Sequence, residues 1–166
     1  EVWGLRRNAA GLPTPIRPIS ADLLGPALAS TIPPVDRVVY AAAADAGSED
    51  AYRVAYVDGV DNLVAALGEA RAPVVSSTAV HGGRGGEWVD EATTPAPADF
   101  RGHVVLEGER RVEASPFAAV VLRLGGIYGP GRGRLIERVR AGEARCPGED
   151  PVWSNRIHRD DAAGAL

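Results

Sequence analysis

The sequence contains no lysine: all 18 basic residues are arginine, so no amine side chain is available to a proton relay anywhere in its 166 residues. Cysteine occurs once, at Cys146, which excludes a disulfide framework and a thiolate metal site, and an unpaired thiol fits a reducing compartment. No metal site is expected. Apolar runs fall well short of the roughly 20 residues that cross a bilayer, and no basic, apolar, small-residue leader is present, so a soluble, cytoplasmic protein with no membrane partner is expected. Positive charge is not in excess either. The net charge is -4 and the arginines are scattered among acids, which is not the clustered basic surface of a nucleic-acid binder. Methionine is absent, including at the start, where Glu1 opens directly into the apolar Val2-Trp3-Gly4-Leu5. The other end, Asp160-Asp161-Ala162-Ala163-Gly164-Ala165-Leu166, reads as a first helical turn with carboxylates at its positive end and no stop signal. The expectation is an internal piece of a longer protein, one domain at most, large enough to bury roughly 70% of its unfolded surface.

What is present alternates. Short apolar runs with little polar interruption, at 35–44, 73–78 and 118–124, suit strands buried on both faces of a parallel sheet. Between them lie helical patterns. Over 52–70, Tyr52, Ala55, Tyr56, Gly59, Val60, Leu63, Val64 and Leu67 recur at i, i+3, i+4, i+7, while Arg53, Asp58, Asp61 and Glu69 fall mostly opposite. A second helix is expected over 100–114 and a third within 131–142, with Leu135, Ile136 and Val139 on one side. Residues 11–18 and 142–151 read as mobile loops. The order β, α, β predicts an α/β doubly wound sheet, whose ligands sit at the carboxyl edge. Gly82-Gly83-Arg84-Gly85-Gly86 is glycine-rich, yet it precedes a tryptophan-containing loop rather than a helix, so it lacks the context of a phosphate cradle.

Three segments carry the chemistry: Val74-Val75-Ser76-Ser77-Thr78-Ala79-Val80-His81-Gly82, then Leu122-Arg123-Leu124-Gly125-Gly126-Ile127-Tyr128-Gly129-Pro130-Gly131-Arg132, then Asn155-Arg156-Ile157-His158-Arg159-Asp160-Asp161. Hydroxyls where a buried strand emerges can hydrogen-bond a substrate oxygen that gains charge, or can merely satisfy local backbone groups. Small residues at Ala41, Ala42 and Ala43 let a flat group lie against the backbone, and the glycines at 125 and 126 allow close approach. In this order and spacing the segments resemble the extended short-chain dehydrogenase/reductases, the NAD-dependent epimerase/dehydratase family.

The resemblance implies a Rossmann-like sheet in which residues 1–8 are the second strand, the first strand and its Gly-rich phosphate loop being absent, and in which 1–166 is one truncated NAD(P)-binding domain. It implies a nicotinamide dinucleotide held by Arg6, Arg7, Asp22, Ala41, Ala42, Ala43, Gly125, Gly126 and Ile127. An arginine at the end of the second strand pairs with a 2′-phosphate, so Arg6-Arg7 favours NADP over NAD, unless the pair is simply solvated. Asp22 matches the acid beside the adenine ring, or is a helix N-cap. Ser77 matches the active serine, with Thr78 the nearby alternative. Without its phosphate loop the piece should bind cofactor poorly. The resemblance also implies a small or nucleotide-linked carbonyl or sugar substrate and a homodimer through helices 52–70 and 100–114.

One departure stands out. The resemblance calls for a tyrosine and, four residues on, a lysine. Taking Glu109 as the glutamate that follows them places Arg101 and Val105 at those positions, and neither can relay a proton. This is the pattern of atypical members that keep the fold and lose the pair. Histidine is the side-chain type suited to proton transfer near neutral pH, so His81 or His103 could replace the tyrosine as proton donor, or serve as structural hydrogen-bonding groups. Glu109 lies on the apolar stripe of its helix, where a carboxylate needs a partner such as Arg123. His158 and Asp161 read as structural. Two functions follow: an NAD(P)-dependent oxidoreductase or epimerase, or a non-catalytic NADP(H)-binding sensor.

Overall fold

The computed structural model describes residues 1–67, 72–82, 85–116, 118–145, 148 and 153–166. The end of the 52–70 helix, Gly83, Arg84, Cys146 and half of the 142–151 loop lie outside the described residues. The order of elements is β1 (Trp3–Arg6), β2 (Arg17–Ser20), α1 (Leu28–Thr31), α2 (Glu49–Arg53), a π-helical turn (Val54–Asp58), α3 (Gly59–Leu67), β3 (Ala72–Ser77), a 3-10 turn (Thr78–His81), α4 (Phe100–Glu113), β4 (Ala119–Leu124), β5 (Gly126–Tyr128), α5 (Arg134–Arg140), β6 (Arg156–His158) and α6 (Arg159–Gly164).

All strand pairing in the ladders is parallel. β1 pairs with β2, β3 with β4 from Ala72↔Ala119 to Ser77↔Leu124, and β5 with β6. The run at 35–44 makes no ladder. It meets β3 at a parallel bridge, Tyr40↔Val74, with the Val75 amide donating to the Tyr40 carbonyl at 2.9 Å. The ladders form three separate parallel pairs rather than the expected single sheet, and no strand lies between this run and β1 among the described residues.

α2 and α4 start where a side chain satisfies an early amide. Asp99 caps α4, accepting from the Gly102 amide at 3.1 Å, and Ser48 caps α2 through the Ala51 amide. The helical stretch from Glu49 to Leu67 carries a local widening that its periodicity does not announce. Its turns at Val54–Asp58 are π-helical, and the buried Tyr40 hydroxyl donates to the Ala55 carbonyl there at 2.5 Å. Gly108, in the middle of α4, lets that helix press against this turn: a Cβ at Gly108 would lie 2.0 Å from the Tyr56 carbonyl oxygen.

One core cluster joins Tyr40, Val60, Leu63, Val74 and Val112 between the sheet and the helices α3 and α4. A second joins Val80, Val105 and Leu106, flanked by Tyr52 and Tyr56. At roughly 25 cal/mol per Å² of apolar surface, burying these side chains is the main favourable term holding α4 to β3. α5 is different. Leu135, Ile136 and Val139 are 52–59% exposed, so its apolar side has no cover among the described residues. The 11–18 stretch also departs from the loop expectation, because Arg17 and Pro18 open β2. Pro18 is tolerated there since β2 is hydrogen-bonded on one side only, and Arg17 lies over the Trp3 ring at 5.1 Å. No helix is long and apolar enough to cross a membrane among the described residues.

Candidate functional site

The carboxyl ends of the strands converge. Parallel register carries Ala41–Ala43 past Tyr40 beside the end of β3, while Ser77 pairs with Leu124 and the chain then turns through Gly125 into β5. Ala41–Ala43, Ser77–Thr78 and Gly125–Ile127 thus leave the sheet at one edge. Gly125 sits close under the Asn155 carbonyl, where a Cβ would make a tight contact at 3.2 Å.

Beside this edge runs a groove of about 1740 Å³, with Arg6, Arg7 and Asn8 on one wall, Ala41–Ala43 on the other, and Asp22 beyond. It exceeds the roughly 300–1,000 Å³ of a small-ligand pocket and lies between β1 and the 35–44 run, which share no strand ladder. Arg7 reaches across it: its Nη2 meets Asp45 Oδ2 at 2.5 Å, and both side chains are about two-thirds exposed. Asp22 does not cap α1. Its Oδ1 accepts from the Leu24 amide at 2.9 Å, closing a tight turn on the groove's rim.

At the end of β3 the three hydroxyls have different partners. Ser76, buried, donates to Glu109 Oε1 at 2.5 Å. Ser77 Oγ accepts from the Ala79 amide at 3.2 Å, capping the 3-10 turn, which leaves its own hydrogen to give. Thr78 spends its hydrogen on Asn155 Oδ1 at 3.1 Å. Glu109, only 3% exposed, also receives Arg123 through Nε to both oxygens at 3.0 and 3.2 Å and Nη2 at 2.7 Å. The hydrogen bond and charge of Glu109 raise the Arg123 pKa further above its usual value, so the guanidinium stays charged. The partner that the sequence reading required for Glu109 is therefore Arg123.

His81 is buried at the end of the 3-10 turn, whereas His103 is exposed on α4. The turn after His81 must be glycine: Gly82 has φ +68°, and a Cβ there would lie 2.4 Å from the Ala96 carbonyl oxygen. Arg101 points outward onto Asp99 at 3.2 Å and the Phe100 ring at 4.9 Å, and Val105 is buried in the second core cluster. No tyrosine and lysine meet beside Ser77. Gly86 packs on Trp153, where a Cβ would come within 2.4 Å of the indole. No cluster of metal-ligating side chains occurs among the described residues. His158 accepts from the Asp160 amide at the start of α6 and stacks edge-on against Tyr128, a structural use. Two residues of this edge carried no role in the sequence reading, Asp45 and Asn155. Asp45 ends the alanine run abruptly with a charge, and that was the available signal.

The groove thus carries two arginines and an acid along one part of its lining and three small side chains, Ala41–Ala43, along another. No protein-family profile matches the sequence, and no curated protein sequence does. Solved structures do. A Methylobacillus flagellatus protein described as an NAD-dependent epimerase/dehydratase shares 35% identity with a TM-score of 0.78, over 98% of this chain and 58% of its own. MoeE5, solved with UDP-glucose and NAD, shares 25% at 0.83, over 99% and 61%. WbmG of Bordetella bronchiseptica, solved with NAD and UDP, shares 19% at 0.74, which speaks for the fold alone, over 99% and 59%. The chain thus spans about three-fifths of the length of the structures it matches. With the motifs, the parallel α/β architecture and this likeness in agreement, the chain belongs to the extended short-chain dehydrogenase/reductases, the NAD-dependent epimerase/dehydratase family.

Proposed function

We propose that residues 1–166 are one NAD(P)-binding domain of an oxidoreductase or epimerase that acts on a nucleotide-linked sugar or related carbonyl. The carrying observation is the groove lined by Arg6–Asn8 and Ala41–Ala43, with Ala41–Ala43 leaving the sheet at the same carboxyl edge as Ser77. Relatives solved with NAD and UDP-sugars support the same reading. A nicotinamide dinucleotide bound there supplies hydride transfer. The chain's own residues hold and orient. Ala41, Ala42, Ala43 and Gly125–Ile127 let the nicotinamide end approach backbone, Arg6 and Arg7 favour NADP over NAD, and Asp22 stands at the adenine.

Ser77 is the hydroxyl donor to substrate oxygen, because its hydrogen is free while that of Thr78 is engaged with Asn155. Thr78 then orients the edge, and His81, the buried imidazole one turn away, is the candidate proton source. A second reading, a sensor that binds NADP(H) without turnover, is favoured by Arg101 and Val105 at the positions of the proton relay.

The test is a titration with NADPH and NADH followed by tryptophan fluorescence, since Trp3 lines the groove, together with turnover of a panel of UDP-sugars. Turnover that disappears in Ser77→Ala supports the enzyme, binding without turnover supports the sensor, and no binding overturns both.

A further inference from the structure

We propose that Asp45 is a specificity-determining residue, one that holds Arg7 across the groove and so tempers the preference for a 2′-phosphate over a 2′-hydroxyl. This rests on the dinucleotide reading above. Arg7 follows β1 and Asp45 follows the alanine run, so the pair joins the two walls at the adenosine end. Both side chains are exposed, 65% and 68%, and an ion pair open to water is weak and exchangeable.

A phosphate approaching Arg7 must displace the Asp45 carboxylate and then remain near it, like charge beside like charge. A ribose hydroxyl faces no such conflict. It can donate to the carboxylate while Arg7 stays paired. Arg7 read alone overstates the selection, because its charge is already compensated. Arg6, next along the chain, lies on the same wall and keeps a bias toward phosphate.

Adenosine 2′,5′-bisphosphate and ADP are the probes, and their dissociation constants are measured by calorimetry on the chain at low salt. Asp45→Asn is expected to shift the ratio toward the 2′-phosphate about three- to tenfold, with the shift shrinking at high ionic strength, where screening shortens the reach of the carboxylate. Asp45→Glu should keep the original ratio. In an Arg7→Gln background, Asp45→Asn should move the ratio by less than half as much on a logarithmic scale, a result that a merely structural role of Asp45 would not give. Binding of both probes with an unchanged ratio overturns this inference and leaves the dinucleotide reading standing. Binding of neither probe overturns that reading, and this inference with it.

Discussion

Removing the Arg123 guanidinium is the most informative single perturbation of the scaffold. Glu109 has two partners, the Ser76 hydroxyl and Arg123, and Arg123 supplies three of its hydrogen bonds. In Arg123→Leu a carboxylate whose side chain is 2% exposed keeps one neutral donor. Breaking a buried pair by deleting one partner costs about 3–5 kcal/mol. The Arg123 side chain is 22% exposed, so water reaches part of the gap and the lower end, about 3 kcal/mol, is expected. For a chain of this size that corresponds to a fall in Tm of about 6–12 °C. Glu109→Leu in the same chain removes the stranded charge, and the double variant should lie within about 2 kcal/mol of the parent, since replacing both members of a buried pair by apolar groups is often nearly neutral. Urea unfolding followed by circular dichroism gives all four corners of the cycle, with unchanged slopes as the check on two-state behaviour. A loss below about 1 kcal/mol in Arg123→Leu, or additive losses in the double variant, would refute the claim that this pair joins α4 to the sheet.

Three further outcomes follow from the packing. Gly108→Ala should destabilise by about 2 kcal/mol or more in urea unfolding, even though alanine gains about 1 kcal/mol in helix propensity, because the added methyl would meet the Tyr56 backbone at 2.0 Å; a stabilised variant would contradict the contact. Tyr40→Phe removes the hydrogen bond to the Ala55 carbonyl and should cost about 1–3 kcal/mol by the same measurement, against no change if water replaces the hydroxyl. In acid, the Gly102 amide and then Arg101 hold the Asp99 carboxyl below its usual range, and Arg53 followed by Arg111 do the same for Glu107. Depressed folded-state values mean that this stability is present above the unfolded pKa, about 4, and is lost as pH falls through the folded ones. The urea midpoint should therefore drop below about pH 4, with a shallower drop in Asp99→Asn, which keeps the cap but does not titrate; equal slopes would contradict this.

The elements most legible from sequence were those whose local signals agree with their packing. α4 begins at an Asp99 cap and runs with one buried stripe, and a carboxylate on that stripe required a cation, which is Arg123. β2 was not legible, because proline argues against a strand unless the strand has a free side. Nor was the π-helical turn. It depends on a hydroxyl from residue 40 and a glycine at 108, both distant in sequence from the turn they accommodate. The 35–44 run is apolar enough for a buried strand, yet among the described residues it meets β3 at the isolated Tyr40↔Val74 bridge and extends no ladder, a pairing that periodicity cannot report. At the candidate site, residue types and order were readable. Partners were not: that Thr78 spends its hydrogen on Asn155, and that Arg7 faces Asp45, are facts of three-dimensional proximity.

The account turns on a groove that takes a nicotinamide dinucleotide, and an amide NMR titration of the chain with NADPH tests it most directly. Shifts concentrated at Arg6–Asn8, Ala41–Ala43, Ser77 and Gly125–Ile127 are the predicted result. Shifts that are absent at saturating NADPH, or that gather on the exposed apolar side of α5, would contradict it.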